Sequence, residues 1–264
     1  MRTCDLSLTA TPTPRHTIPA QRRKEILDAV STGAMHVADL AESFGVSEMT
    51  VRRDLRELAR AGKLERVRGG AVKASTEPPF EETAVERFDA KDRIGAAAAE
   101  LVEDGQTVMI DIGTTTLQAA RHLHGRQITV VTSSLAVYEE LVPDPAIELL
   151  LPGGIVRRNY RSLVGVIAED ALRKLKADVL FLGTSAVDAD LGVWDSTMVE
   201  VPIKRAMIEA AETVALLADS AKFSMAGMVW VADARALDTI VTDAPVPDSC
   251  HAAVERFGVE VTVA

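Results

Sequence analysis

The chain has 264 residues, 47% of them hydrophobic and 26% charged, which leaves room for one large domain or two smaller ones. No apolar run approaches the ~20 residues that a membrane span needs, and residues 1–17 lack the apolar segment of a signal peptide. The two cysteines, Cys4 and Cys250, are far apart and lack the spacing of a metal motif. We therefore expect a cytoplasmic protein with no membrane contact, no metal and no cofactor.

The net charge of −10 argues against DNA binding when the chain is taken as a whole, but the charge is unevenly divided. Residues 1–74 hold 13 Lys and Arg against 9 Asp and Glu, a net charge of +4. Residues 75–264 hold 16 against 30, a net charge of −14. A basic N-terminal part and an acidic C-terminal part fit a DNA-binding domain followed by a sensor domain, because the acidic part repels the phosphate backbone of DNA.

Residues 1–17 contain no helical or strand pattern and are predicted to be a disordered tail. A compact α+β DNA-binding domain is predicted over residues 18–73, and its first helix covers 20–31. A second short helix has four apolar residues on one face: Val37, Leu40, Ala41 and Phe44. Gly45 and Val46 then form a tight turn into the third helix.

The third helix and the segment after it are typical of a recognition helix and wing. Ser47 is a natural N-cap, an apolar stripe runs along one side, and arginines point the opposite way. A short hairpin with a basic tip, the wing, follows beyond Gly62. We predict that this domain, a winged helix-turn-helix, contacts DNA through eight residues: Ser47, Met49, Thr50, Arg52, Arg53, Arg56, Arg68 and Gly69.

The alternative is a small helical domain whose arginines form a solvated face, which would leave the glycine-rich wing without a role.

Residues 74–90 contain Pro78, Pro79 and many charges, so we predict a linker there, with a short helix from Glu81.

From residue 91 to residue 264, short apolar strands alternate with helical patterns, which predicts βα units and a mostly parallel, Rossmann-like sheet. Strands are predicted over 107–112, 128–132, 147–151, 179–183, 214–218, 239–242 and 259–263. Helices are predicted over 134–142, 164–177, 201–212 and 248–257. Ligands of such sheets bind beyond the carboxyl ends of the strands.

Four loops at predicted strand ends carry the chemistry of an anion site. The first contains Asp111 and Gly113, followed by Thr114, Thr115 and Thr116, whose hydroxyl and backbone donors suit a phosphate at a helix start. The others contain Ser133 and Ser134, then Gly153 and Gly154 with Arg157, then Lys222. Hydroxyls that only cap helices, and surface Arg and Lys side chains, are the alternative interpretation.

The motif Ser47-x-x-Thr50-Val51-Arg52-Arg53-Asp54-Leu55, followed by Arg66-x-x-Gly69-Gly70-Ala71, resembles the signature of the DeoR-type bacterial transcription regulators. The resemblance continues through DIGTTT, TSS, PGG, DVLFLGTSAVD and DSAKF, and it covers nearly all of the chain after about residue 18. It implies a C-terminal α/β domain with the fold of ribose-5-phosphate isomerase and the CoA-transferases, which senses a phosphorylated sugar or a related intermediate.

The resemblance also implies which residues line the sensor pocket: Asp111, Gly113, Thr114, Thr115, Ser133, Ser134, Gly153, Gly154, Asp188 and Lys222. Glu200 and Lys204 of a late helix border it. The family often has Asn at this position, where the present chain has Ser133.

We therefore predict a nucleoid-associated transcriptional regulator that represses a carbohydrate catabolic operon. Its partners are double-stranded operator DNA, a phosphorylated sugar effector and further copies of itself in a dimer or tetramer. An isomerase fused to a DNA-binding domain is the alternative. Asp188 or Asp190 would be the carboxylate base there and Lys222 the cation near the oxyanion, but the acidic loop of the isomerases is missing. A purely architectural DNA binder would leave the phosphate-type loops unexplained.

Overall fold

A computed structural model describes residues 19–31, 35–60, 64–67, 70–73 and 79–264. The chain divides into two compact units, Met1–Thr76 and Glu77–Ala264. The predicted tail, Gly62 and the tip of the wing with Arg68 and Gly69 lie outside the described residues, as do residues 74–78 of the predicted linker.

The first unit contains three helices and a three-stranded antiparallel sheet, which is the predicted winged helix-turn-helix. Strand β3 lies in the middle, between β1 and β2, and the β2–β3 hairpin is the wing. The elements are α1 (Pro19–Ser31), β1 (Met35–His36), α2 (Val37–Phe44), α3 (Glu48–Arg60), β2 (Leu64–Val67) and β3 (Gly70–Lys73).

The turn between α2 and α3 is formed by the residues from which it was predicted. Gly45 ends α2 with a φ of 62°, in the left-handed region that favours glycine. The Ser47 hydroxyl accepts a hydrogen bond from the Thr50 amide at 3.2 Å and so caps α3. The apolar stripe of α3 is buried against α1 and α2, in a core that includes Ile26, Leu40 and Leu55.

A buried ion pair fixes α3 relative to α1. The Arg22 guanidinium donates to Asp54 at 2.7 Å, and Arg23 donates to the other oxygen of the same carboxylate at 3.1 Å. Because Asp54 is buried on the inner side of α3, the side chains on the opposite side face solvent. This pairing sets the orientation in which the recognition helix is presented.

The second unit is built on a seven-stranded, fully parallel sheet in which all seven predicted strands occur. The order is β15-β14-β12-β9-β4-β5-β6. These strands are β4 (Thr107–Ile110), β5 (Thr129–Thr132), β6 (Glu148–Leu150), β9 (Ala177–Gly183), β12 (Ala211–Leu217), β14 (Thr239–Thr242) and β15 (Glu260–Val263).

Helices cover both faces of this sheet and bury two apolar cores. Helices α4 (Phe80–Val85), α5 (Phe88–Ala99), α6 (Thr114–Arg121) and α7 (Leu135–Leu141) contribute to one core. Helices α8 (Val166–Leu172), α9 (Val201–Ala210) and α10 (Asp248–Phe257) contribute to the other. Along β9 the buried side chains of Leu180, Phe181 and Leu182 alternate between the two cores, as expected for a central strand.

Two groups of short strands in the second unit were not predicted from the sequence. One is the hairpin β7 (Ile155–Arg157) and β8 (Ser162–Val164), so Val164 belongs to a strand and not to the helix predicted over 164–177. The other is the antiparallel sheet of β10 (Ala186–Val187), β11 (Val193–Asp195) and β13 (Val229–Ala232). These strands have two to four residues, too few to show a clear periodic pattern.

The linker is shorter than the predicted 74–90. Phe80 is buried in a core of the second unit, and its amide donates to the Asn159 carbonyl at 3.0 Å. The first helix after the DNA-binding unit therefore belongs structurally to the second unit.

The strand order reverses between β4 and β9. From β4 the chain proceeds to β5 and β6 on one side, and then returns to β9 on the other side of β4. The loops that leave β4 and β9 therefore diverge, and a crevice opens beyond the carboxyl ends of these two strands.

Candidate functional sites

The solvent-facing side of α3 is the first candidate site. Met49 is 69% exposed, the Arg53 side chain is 79% exposed, and Arg56 is exposed beside them. Arg52 is paired with Glu48 at 3.0 Å along the helix. An exposed helix face with guanidinium groups and one apolar side chain can read the major groove, where arginine pairs with guanine and apolar groups contact the thymine methyl.

The remaining predicted DNA-contacting residues divide into two groups. Ser47 and Thr50 lie at the start of α3, with their hydroxyl oxygens 3.0 Å apart. The register of β2 and β3, with Val67 opposite Gly70, confirms a hairpin, but Arg68 and Gly69 at its tip lie outside the described residues.

The second candidate site is a cleft in the crevice beyond β4 and β9. Five predicted residues line it: Gly113, Thr114, Thr115, Thr116 and Lys222. Seven other polar residues also line it: Thr83, Tyr160, Thr184, Ser185, Asp195, Glu200 and Lys204. Of these seven, only Glu200 and Lys204 were expected near the pocket.

The threonine loop between β4 and α6 forms one side of the cleft. Gly113 precedes α6 with a φ of 147°, and Thr114 is the first residue of the helix. The Thr116 hydroxyl donates within the loop, 2.8 Å from the Asp111 carbonyl and 3.0 Å from the Gly113 carbonyl. Thr116 therefore holds the loop in shape, while Thr114 and Thr115 line the cleft at the positive end of a helix dipole.

Lys204 forms the floor of the cleft. Its ammonium donates to Asp111 Oδ2 and, at 3.0 Å, to the Gly183 carbonyl, and it lies 3.5 Å from Asp195 Oδ2. Burial works against the charged form, but the carboxylates of Asp111, Asp195 and Glu200 outweigh it and raise the pKa of Lys204. Lys204 therefore stays protonated, and much of its charge is already met by acidic neighbours.

Glu200 lies beside this network and is itself buried. Its carboxylate accepts a hydrogen bond from the Ser162 hydroxyl at 2.8 Å and forms an ion pair with Arg157. Burial raises the pKa of Glu200 from 4.5 to about 7, although Arg157 and Lys204 act in the opposite direction. The side chain therefore titrates near neutral pH inside the cleft.

Several residues that the resemblance placed in the pocket do not line this cleft. Asp188 is exposed and closes its own turn, because its carboxylate accepts hydrogen bonds from the Gly192 amide at 2.8 Å and the Trp194 indole at 2.6 Å. Gly153 and Gly154 are absent from the wall, and a β-carbon on Gly154 would lie 2.9 Å from the Val164 carbonyl oxygen. Close packing of the backbone against β8 therefore explains why residue 154 is a glycine.

Four further predicted residues lie outside the cleft lining. Asp111 is fully buried and holds Lys204, while Arg157 holds Glu200. The Ser134 hydroxyl caps α7 by accepting from the Val137 amide at 3.2 Å. Ser133 is buried, and its hydroxyl has no hydrogen-bond partner within the part of the chain that the structure describes.

The wall residues that come from α4 and the β7–β8 hairpin were not predicted from the sequence. Thr83 is on α4, in the segment that was predicted to be linker, and Tyr160 is at the hairpin turn. The rings of Phe80 and Tyr160 meet edge to face, with centroids 5.8 Å apart. This packing was not predicted because the proline-rich, charged composition of residues 74–90 is typical of a linker.

The corner between α4 and α5 is tied to the cleft by two cations. Arg87, at a φ of 52°, donates to Asp219 at 2.9 Å, to Asp243 at 2.7 Å and to the Ser220 hydroxyl at 2.8 Å. The ammonium of Lys91 is buried and donates to the Thr83 carbonyl at 2.6 Å. Burial lowers the pKa of Lys91 to about 8.

The exposed basic recognition helix and the separate α/β domain with its polar cleft define the class of protein as a DNA-binding transcriptional regulator. The family model "DeoR-like helix-turn-helix domain" matches residues 22–77, and the model "DeoR C terminal sensor domain" matches residues 86–244. The chain belongs to the DeoR family. No described helix is long and apolar enough to cross a membrane.

Curated relatives are similar over almost their whole length. A "Putative aga operon transcriptional repressor" of Escherichia coli O157:H7 is 33% identical over 254 residues, which cover 94% of this chain and 94% of that protein. The "HTH-type transcriptional regulator GlpR" of Haloferax volcanii is 34% identical over 249 residues, covering 92% and 97%. The "Glycerol-3-phosphate regulon repressor" of Escherichia coli K12 is 33% identical over 234 residues, covering 87% and 92%.

Among solved structures, the chain is similar to ribose 5-phosphate isomerase A of Methanocaldococcus jannaschii, with 16% identity and a TM-score of 0.40. The match covers 52% of this chain and 55% of the isomerase. A likeness at this level says nothing about activity.

Replacing Glu200 with Gln tests the environment of the cleft. Because folding raises this pKa, the stability that protonated Glu200 contributes is complete below pH 4.5 and is lost as the pH rises through about 7. In that window the loss is up to about 1.4 kcal/mol per pH unit. We expect the unfolding free energy of the wild-type chain, measured with denaturant, to fall more steeply between about pH 5 and pH 7 than that of Glu200→Gln. Parallel pH curves would contradict this.

Proposed function

We propose that this protein represses a carbohydrate catabolic operon and releases its operator when a phosphorylated sugar, or a related phosphorylated intermediate, binds the cleft. The observation that carries the proposal is the cleft itself. Thr114 and Thr115 at a helix start line the same cleft as Lys222, at a strand-order reversal, in a chain that also presents a recognition helix. The proposed partners are operator DNA, the effector and further copies of the chain in a dimer or tetramer.

The relatives support the kind of operon. Two of them are named as repressors, one of an aga operon and one of a glycerol-3-phosphate regulon. The second name refers to a phosphorylated compound, glycerol 3-phosphate. For this chain, the kind of regulated operon and the effector are proposed, and the experiments below test them.

The two lysines of the cleft are suited to different tasks. Lys204 already faces Asp111 and Asp195, so its charge is largely balanced before any ligand arrives. Lys222 has no ion pair among the residues that the structure describes, and it lies at the cleft wall. The phosphate therefore binds between Lys222 and the amino end of α6, while Asp195, Glu200 and Lys204 meet the hydroxyl groups of the ligand.

The wall contributed by α4 gives the effector a direct way to influence DNA binding. Thr83 and Tyr160 line the cleft, Phe80 packs on Tyr160, and Lys91 holds the Thr83 carbonyl. A ligand that favours one position of α4 acts on the segment that leads from the DNA-binding unit. It can change operator affinity only as far as its own affinity differs between the two arrangements.

The DNA-reading face is tested with Arg53→Ala. The operator would first be obtained by selecting from randomised sites with the wild-type chain. Losing a guanidinium contact with a base should weaken operator binding by about 1–3 kcal/mol, which is roughly five- to 150-fold. A mobility-shift assay measures this. Lys24→Ala, which removes an exposed charge from α1, is the matched control and should have a smaller effect. Equal losses for the two variants would exclude Arg53 from base recognition.

The phosphate anchor is tested by a thermal-shift screen of the full chain with phosphorylated sugars, glycerol 3-phosphate and their dephosphorylated forms. We expect only phosphorylated compounds to stabilise the chain, by about 2.7 kcal/mol at a hundredfold excess over Kd. Thr115→Val and Lys222→Met should abolish the shift and leave operator binding intact. Lys174→Met, at an exposed position of the same unit, is the control. Equal stabilisation by both forms would refute the anchor.

The isomerase alternative has one observation in its favour, because Glu200 combines a raised pKa with a place in the cleft wall. Asp188, the base considered from the sequence, is excluded from the cleft by its own turn. We propose that the protein is not an enzyme, since Glu200 is engaged by Arg157 and Ser162, and Asp195 accepts from the Thr197 amide.

Turnover is tested by incubating the effector with excess protein in deuterated water and following it by NMR. We expect no protein-dependent exchange of the proton beside the carbonyl group. Exchange that is lost in Glu200→Gln would establish catalysis and contradict the sensor proposal.

A further inference from the structure

Glu57 is an acidic residue at the border of the DNA-reading face of α3. Its carboxylate lies 2.6 Å from Nη2 of Arg23 on α1 and 3.6 Å from Nε of Arg53 on α3. The two oxygens are engaged by different guanidinium groups, because Oε2 contacts Arg23 and Oε1 contacts Arg53. A carboxylate therefore lies between two arginines at the edge of a surface that has to meet the phosphate groups of DNA.

The ion pairs of Glu57 are not what holds α1 and α3 together. The side chain of Asp54 is only 3% exposed, and it already accepts from both Arg22 and Arg23. The Glu57 side chain is 35% exposed, and ion pairs that are open to water contribute little to stability because water screens them. The α1–α3 contact thus has its own buried carboxylate, and the second, half-exposed carboxylate of Glu57 needs another explanation.

Residues of both helices line a groove beside the recognition face, with a volume of about 600 Å³. Its charged members are four arginines and two acidic residues: Arg22, Arg23, Arg53, Arg56, Asp54 and Glu57. Pro19 also lines the groove, which places the positive end of the α1 dipole there, and the first turn of α1 has no acidic side chain. The groove is therefore suited to an anion, and Met49 and Thr50 in its lining join it to the recognition face.

Glu57 is placed to meet the DNA backbone and not a base. Recognition helices reach base edges mainly with their N-terminal residues. Helix α3 begins at Glu48, and Glu57 lies nine residues further on, about two and a half turns along the helix. A carboxylate at this position would repel a backbone phosphate, and it also holds the two guanidinium groups that are able to bind that phosphate.

We propose that Glu57 occupies, in the free protein, the place that a backbone phosphate takes in the DNA complex, between Arg23 and Arg53. Binding then exchanges one anion for another: both guanidinium groups donate to the phosphate oxygens, and the Glu57 carboxylate turns to solvent. This adds Arg23 of α1 to the predicted DNA contacts and makes Glu57 an internal competitor of DNA. Because backbone contacts are the same for every sequence, Glu57 lowers the affinity for all DNA and leaves the sequence preference unchanged.

The test uses fluorescence anisotropy of the full chain, without effector, with a labelled duplex of random sequence and with the selected operator. Glu57→Gln keeps the size of the side chain and removes the competing charge, so it should lower Kd for both duplexes about threefold or more. Asp28→Asn changes the net charge by the same amount at an exposed position of α1 outside the groove lining. It is the matched control and should have a smaller effect.

The role of Arg23 is measured in the Glu57→Gln background, where no freed carboxylate can pair with Arg53. Adding Arg23→Gln should remove one phosphate contact, so the slope of log K against log salt between about 50 and 200 mM KCl becomes shallower by about 0.9. Arg22 still pairs with Asp54 in this double variant, and circular dichroism melting curves check its fold. If the double variant does not fold, the comparison of Glu57→Gln with Asp28→Asn decides the proposal alone.

A Glu57→Gln chain that binds no more tightly than Asp28→Asn overturns the proposal, as does a folded double variant with an unchanged slope. A gain limited to operators with one altered base pair also overturns it, because Glu57 would then read a base. The proposal rests only on the DNA-binding part of the proposed function, and no effector is present, so these failures leave the effector site untouched. A wild-type chain that bound neither duplex would overturn both.

Discussion

The ion pair between Lys204 and Asp111 is the interaction on which the second unit depends. Asp111 follows β4, Gly183 ends β9, Asp195 ends β11 and Lys204 is on α9, so one ammonium group connects four elements at the strand-order reversal. A buried charge without partners would cost several kcal/mol, and each carboxylate here has Lys204 as its counterion. The arrangement explains how acidic and basic side chains can coexist in a cleft with little access to water.

The same ion pair determines the chemistry available to a ligand. Because its carboxylate neighbours already balance Lys204, an incoming dianion finds uncompensated positive charge mainly at Lys222 and at the amino end of α6. Glu200, with its pKa near 7, can accept or lose a proton as the ligand changes the local charge. A phosphorylated polyol would match this distribution better than a neutral sugar, because its charge and its hydroxyl groups would meet different sides of the cleft.

The sequence predicted those parts of the molecule that have a long repeating pattern. The apolar stripe of α3 and the alternating βα pattern were sufficient for the winged helix-turn-helix and for all seven strands of the parallel sheet. The threonine loop was found because its residues are consecutive. The roles of Thr83, Tyr160 and Asp195 were missed, since they depend on tertiary contacts between segments that are distant in the sequence. Asp188 was misplaced for a related reason: the partners of its carboxylate, in a short β10–β11 turn, are not visible in a motif.

If the effector acts on DNA binding as proposed, the position of α4 gives it a short route to the DNA-binding unit. A signal from the cleft need not cross the parallel sheet, because the first helix of the second unit is part of the cleft wall. Arg87 and Lys91 hold the next corner to Asp219, Asp243 and Thr83, and Asp219 also caps the turn that contains Lys222. The residue that would bind phosphate and the segment that leads to the DNA-binding unit thus share Asp219. Coupling free energies between sites are commonly 1–3 kcal/mol, and rearranging a few charged hydrogen bonds of this kind is of the same magnitude.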